Sequence, residues 1–364
     1  YNYLFPVFLS LFALAACDED NEEIVPMSYT DPVATVTKID PVEGYVGNEF
    51  TVSGSDFGII TEDVKVFIGS QEAVVVSCAD DAILAKVPES ATNGKITVEV
   101  FGQRVETDLV YRVLGKPGVS VVKPSYGFPG ASIVFEGQEF VSSKTLYTLT
   151  FGTSTDKAEI VGTPIDTEFM AKIPETAVSG VMTLIMAEQT IDLASYPFTV
   201  LKHATLDTPK EDEPVPSGFA GSKFAITGTN LVQELLDKSV EGLEPLKVTF
   251  SKAGGEPVEA AIDTDNLTDK SIPLTVPASL EAGDYTITVI TPFETIGTQL
   301  KYTVLPMPTV TGISTKAGYI NAEVTIIGQN FGTKAENIQV FFGETICDKV
   351  TLNDKGNIVV NVPK

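Results

Sequence analysis

Tryptophan is absent from the 364 residues, and histidine occurs once, as His203. The first absence removes the largest aromatic face available for stacking on a ligand. The second leaves little for histidine-based catalysis: a Ser-His-Asp or Cys-His arrangement needs a placed base, and His203 stands near no Gly-x-Ser-x-Gly or paired motif. Cysteine is scarce, at Cys17, Cys78 and Cys347. Cys78 and Cys347 lie far apart in sequence, so no disulfide framework is expected, and both read as small buried hydrophobes. P-loop, CxxC and HExxH motifs are missing. Basic residues are outnumbered, 24 Lys and Arg against 49 Asp and Glu, for a net charge of −25. Such a surface repels phosphate backbones, which argues against nucleic acid as a partner, and it favours colloidal solubility in crowded surroundings.

What is present begins with an uncharged apolar stretch, Leu4–Ala16, shorter than the about 20 residues a membrane-spanning helix requires. It reads as the apolar region of a signal peptide over residues 1–16. Leu14-Ala15-Ala16-Cys17 follows at once and resembles the bacterial lipobox, which implies diacylglycerol on the Cys17 sulfur. The alternative is cleavage at an A-x-A-like site with Cys17 incidental. Residues 17–33 form the lipidated cysteine and an acidic tether, Asp18-Glu19-Asp20-Asn21-Glu22-Glu23. A run of this charge cannot fold alone. It resembles the signal that sends lipoproteins of the Bacteroidetes group to the outer face of the outer membrane; a plain spacer is the other reading. Tyr1, without a Met or a basic leader, reads as a truncated start.

With 43% hydrophobic and 20% charged residues, 29 Gly and 22 Pro, the composition fits short strands separated by turns. The same order of signals recurs four times: a turn glycine, an alternating strand carrying a second glycine, a V-x-F-x-G strand, and an apolar strand closing in proline. The first copy has Gly44-Tyr45, FTVSGSDF to Phe57, VKVFIG to Gly69 and ILAKVP to Pro88. The second has Gly127-Phe128, IVFEGQEF to Phe140, LTFG to Gly152 and FMAKIP to Pro174. The third has Gly218-Phe219, FAITGTNL to Leu231, VTFS to Ser251 and IPLTVP to Pro277, with a longer insert in its middle. The fourth has Gly318-Tyr319, VTIIGQNF to Phe331, IQVFFG to Gly343 and IVVNVP to Pro363.

Copies one to three continue with further strands (KITVEV and VYRVL, VMTLIM and PFTVL, DYTITV and KYTVL), whereas the fourth does not, so Lys364 reads as an unnatural end. Alternation at Phe50 and Val52, or Val324 and Ile326, puts every second side chain on one face of a half-buried strand. The expectation is an all-β chain of tandem immunoglobulin-like sandwiches in an elongated rod after a lipoprotein signal peptide. Its repeats span 34–115, 116–201, 202–305 (divergent) and 306–364 (truncated). Proline in the joints Gly115–Gly118 and Pro306–Pro308 favours limited bending.

The recurring G-x-x-F, V-x-F-G and V-P elements resemble the IPT/TIG family, over about residues 34 to 364. Copy three departs, with Leu231 for Phe and Ser251 for Gly. The resemblance implies an Ig-like fold. The family also contains DNA-binding domains, a function that an acidic, exported chain argues against. Together with the lipobox, the chain looks like surface lipoproteins of Bacteroidetes polysaccharide-utilisation loci. That likeness implies a stalk, a polysaccharide partner bound through a region after Lys364, outer-membrane lipid reached through Cys17, and an outer-membrane importer as a further partner. It also implies a location on the outer membrane, facing the exterior.

No catalytic residue, cofactor or metal is assigned. Asp263-Thr264-Asp265-Asn266 with Asp269 offers oxygen ligands suited to calcium, but Thr268 and Leu274 stand where an EF-hand needs Gly and Glu, so a solvated loop is expected. The aromatics after the turn glycine (Tyr45, Phe128, Phe219, Tyr319) recur in every copy, which points to packing. In the loop PSYGFPG, Tyr126 and Phe128 are the candidates for a ligand platform. The resulting reading is a non-catalytic surface lipoprotein whose repeats form the stalk of a polysaccharide-capturing protein. The alternatives are an adhesin or structural protein using the repeats for protein–protein contacts, and an accessory stalk of a hydrolase.

Overall fold

A computed structural model describes residues 32–210 and 212–364. The stretch read as a signal peptide, Cys17 and nearly all of the expected tether lie outside the described residues. The chain is all-β, with strands joined by turns and single 3-10 turns. It divides into two compact units, one of residues up to Val42 with Glu49–Val113, the other of Glu43–Asn48 with Leu114–Lys364.

In the first unit, strands run side by side in the order Thr35–Asp40, Glu49–Ser55, Ala82–Lys86, Gln71–Ala79, Val64–Ile68, Gly94–Val100 and Gln103–Leu114. Gln71–Ala79 is the corner. Its first residues pair with Val64–Ile68 and the remainder with Ala82–Lys86, so one strand serves both layers of the sandwich. Phe50, Val52, Ile83 and Ala85 from one layer meet Val66, Ile68, Ile96 and Val98 from the other, all buried. This is the immunoglobulin-like solution: two sheets with alternating side chains closing one core.

The second unit repeats it. Glu159–Ile165, Glu168–Lys172, Ser132–Gln138 and Gly118–Lys123 form one layer, while Tyr147–Thr150, Thr183–Met186 and Gln189–Ile191 face it. Further on, Thr205–Leu206, Lys223–Thr229, Ser271–Thr275 and Ala261–Ile262 lie over Ser217–Gly218, Thr295–Val304, Gly283–Ile290, Lys247–Ser251 and Val258–Glu259. The last part holds Thr309–Ile313, Glu323–Gln329, Ile358–Asn361 and Val350–Leu352, plus the short pair Phe341–Phe342 and Thr345–Ile346. Here IQVFFG, expected to be a full strand, is extended only at its two phenylalanines.

The G-x-x-F signal has a steric cause. A Cβ built on Gly54 would sit 1.8 Å from the Thr35 carbonyl oxygen and 2.5 Å from Phe57 Cζ. At Gly137 the same atom would lie 2.0 Å from Gly118 O and 2.5 Å from Phe140 Cζ, and at Gly328 2.0 Å from Thr309 O and 2.3 Å from Phe331 Cζ. The glycine thus lets an irregularly paired first strand come close while the aromatic ring three residues on folds over the gap. Phe57 and Phe140 are completely buried. The third copy keeps the close approach, 2.0 Å from Gly228 to Thr205 O, and covers it with buried Leu231.

Candidate functional site

Tyr126 and Phe128 stand on the turn that follows Gly118–Lys123. Tyr126–Gly127 runs parallel to Thr199–Val200, so the turn is stitched to the last strand of the second repeat. Gly127 leaves room there, since a Cβ would meet Ile173 Cδ1 at 2.7 Å. Both aromatic residues are half-buried. Their rings do not form a free pair. Phe128 stacks face to face on His203, with centroids 4.3 Å apart and planes 2° apart. Tyr126 tilts against Phe293, 5.4 Å away, in the third repeat.

His203 is therefore more than a surface residue beside a joint. Its side chain is 69% exposed, yet Nδ1 lies 2.9 Å from Glu294 Oε2. The other carboxylate oxygen, Glu294 Oε1, accepts the Ala204 amide at 2.6 Å. Glu294 is held by a tight turn in which its N–H and that of Phe293 donate to Thr291 Oγ1. The turn thus presents Phe293 to Tyr126 and Glu294 to the joint.

The insert of copy three supplies the other wall. Asn230 Nδ2 donates to His203 O at 3.0 Å. Gln233 both accepts from the Lys202 amide and donates to the Lys202 carbonyl, each at 2.8 Å. The Leu236 amide donates to Thr199 Oγ1 at 2.7 Å, with Thr199 buried in the second repeat. Hydrogen bonds with Ser239 and with Ser125 of the second repeat hold the Asp237 carboxyl below its ordinary pKa. None of these partners could be picked from the sequence: Asn230 and Gln233 stand 27 and 31 positions from the residues they hold, and Leu236 reaches back into the preceding repeat.

The recurring aromatic after the turn glycine has four environments. Tyr45 is buried in the second unit, where its hydroxyl donates to Glu139 O at 2.6 Å and its amide to Asn48 Oδ1 at 2.8 Å. Asn48 Nδ2 donates to Ala187 O, and the Ser142 amide to Glu43 Oε1. Nearby, Tyr147 donates to Val141 O; burial above all, then Tyr45 and Glu43, pushes its pKa well up from 10. Phe128 packs on His203, Phe219 is 37% exposed and Tyr319 is 92% exposed. Packing at this position thus describes the first two copies.

Asp263 and Asn266 close a single 3-10 turn through their side chains, 3.0 Å apart. Among the described residues no group of three His, Cys, Asp or Glu side chains is arranged to hold a metal ion. Cys347 is buried; Cys78 is only half-buried, its thiol 3.4 Å from Gly58 O, and burial followed by Asp80 raises its pKa.

Residues 34–112 and 308–364 match the IPT/TIG domain family. Among curated proteins, mouse Fibrocystin-L is 27% identical over 220 residues, 58% of this chain and 5% of its own length. The chain thus spans about one-twentieth of that relative. Among solved structures, the Plexin A4 extracellular region is 14% identical with a TM-score of 0.39, covering 96% of this chain and 30% of its own. SGBP-B of a Bacteroides ovatus mixed-linkage glucan utilization locus, bound to a mixed-linkage heptasaccharide, is 20% identical with a TM-score of 0.21, covering 78% and 70%.

Proposed function

We propose that this chain is a non-catalytic cell-surface lipoprotein whose Ig-like repeats are the stalk of a polysaccharide-capturing protein. The observation that carries the stalk reading is the fate of the candidate platform: the rings of Tyr126 and Phe128 are engaged by Phe293 and His203 of the following segment. A sugar-stacking platform needs an open ring face. Rings spent on a joint position the next repeat instead. The lipobox-like Leu14–Cys17 and the acid run after it support anchoring outside the cell. The polysaccharide would be held by a region after Lys364, beside an outer-membrane importer.

Two measurements test it. In affinity electrophoresis against a panel of plant, host and microbial polysaccharides, the chain should migrate unretarded; retardation by one polymer would put a glycan site in the repeats and end the stalk reading. In cells, the protein should partition with membranes and be cut by added protease, and Cys17→Ala should release it. Membrane retention of Cys17→Ala would refute the anchor.

One observation favours the adhesin reading. On the first unit, Ile59, Ile60 and Phe101 are exposed together, Phe101 resting over Gly58 with its Cζ 3.2 Å from a Cβ built there. Exposed apolar patches of this kind serve protein contacts. Under this reading, sedimentation velocity shows self-association that Phe101→Asp abolishes. A monomer indifferent to Phe101→Asp removes the support.

A further inference from the structure

The joint between repeats two and three is built unlike the joints flanking it in sequence. Gly115–Gly118 and Pro306–Pro308 contain proline, which stiffens a linker through its fixed φ. Leu201-Lys202-His203-Ala204 contains neither proline nor glycine, so nothing in its own backbone restricts it beyond ordinary residues. Yet each of the four residues is gripped. Leu201 is buried and its amide donates to Gly127 O at 2.9 Å. Lys202 is held at both backbone groups by Gln233. His203 is held by Asn230 at its carbonyl, by Phe128 on its ring face and by Glu294 at Nδ1. Ala204 is held by Glu294. Beyond the linker, Leu236 reaches the second repeat itself, at Thr199.

Gln233 and Leu236 both belong to the insert that distinguishes copy three. In copy one only Gly58–Asp63 separates the buried Phe57 from the next strand, whereas here Val232–Leu246 stands between Leu231 and Lys247–Ser251. The extra residues add no strand and contribute a single nearly buried side chain, Leu235, so they are not there to enlarge the core. We propose that this insert is a brace that locks repeats two and three into one rigid segment. It does by side-chain and backbone contacts what proline does at the other joints, whichever ligand the whole protein takes.

The test is a pair of spin labels on the otherwise intact chain, at Lys157→Cys and Glu256→Cys, with Cys17, Cys78 and Cys347 replaced by Ala. Double electron–electron resonance on this background should give one narrow distance distribution. Thr199→Val with Gln233→Ala removes the acceptor for Leu236 and both bonds to Lys202 while keeping the volume of the buried Thr199 side chain, and should broaden the distribution about twofold or more, as for an unrestrained linker. Replacing Val232–Pro245 by Gly-Ser-Gly-Ser should broaden it at least as far, with calorimetry checking that the third repeat still folds. A broad distribution in the parent chain overturns the proposal, and so does one that stays narrow in the Thr199→Val, Gln233→Ala chain.

Discussion

The glycine three residues before the buried aromatic shows how far one hydrogen atom can matter. In Gly137→Ala the new Cβ would stand 2.0 Å from Gly118 O and 2.5 Å from Phe140 Cζ. A ring can tilt away from a methyl group. The carbonyl cannot, because Gly118 and Val119 pair with Gln138 and Gly137 in the same ladder. The sandwich must therefore shift a strand or turn Phe140 out of the core, a loss of about 3 kcal/mol typical of overpacking. Gly162 is the control. It has a φ of +70° but nothing within 4 Å of a built Cβ, so Gly162→Ala meets only backbone strain, about 1 kcal/mol. Urea unfolding of the two variants should separate them clearly; equal losses would mean that conformation, not close approach, is what keeps glycine at 137.

Strands were legible in proportion to what they bury. The recurring motifs fall on Glu49–Ser55, Val64–Ile68 and Ala82–Lys86 and on their counterparts, because alternation there feeds side chains such as Phe50, Val52 and Ile83 into the core. Gln71–Ala79 carried no comparable signal. Passing from one layer to the other, it buries only Ala73 and leaves Val74 and Val76 exposed, so its apolar residues do not mark a face. The opening strands, Thr35–Asp40 and Gly118–Lys123, were equally hard to read, with Ile39 and Val122 as their buried side chains. The same logic governs the joint. Tyr126 and Phe128 could be picked out as unusual rings in a chain without tryptophan, but Phe293 is more than 160 positions from Tyr126, and no local pattern announces that the two meet. The copy-three insert was visible as a departure in length. Its grip on Lys202 and Thr199 was not, since amide bonds to a linker leave no periodicity.

For the molecule as a whole, the dominant electrostatic fact is 25 uncompensated negative charges. Two effects of salt then compete. Added NaCl weakens ion pairs such as Lys38–Asp40 and Lys95–Asp108, both 2.7 Å long. These pairs are well exposed, and exposed pairs contribute little to stability in any medium. Salt also screens repulsion among the excess carboxylates, which is spread over the whole surface and acts against the compact state. With a screening length falling from about 30 Å at 0.01 M to about 10 Å at 0.1 M, the diffuse repulsion is lost first, while a contact pair at 2.7 Å still lies well inside it. Repulsion should win. Raising NaCl from about 0.01 to 0.1 M should raise the thermal midpoint by a few degrees, in line with a gain of about 1 kcal/mol. A midpoint that fell with salt would mean that local pairs, exposed as they are, hold these repeats together more than their net charge pushes them apart.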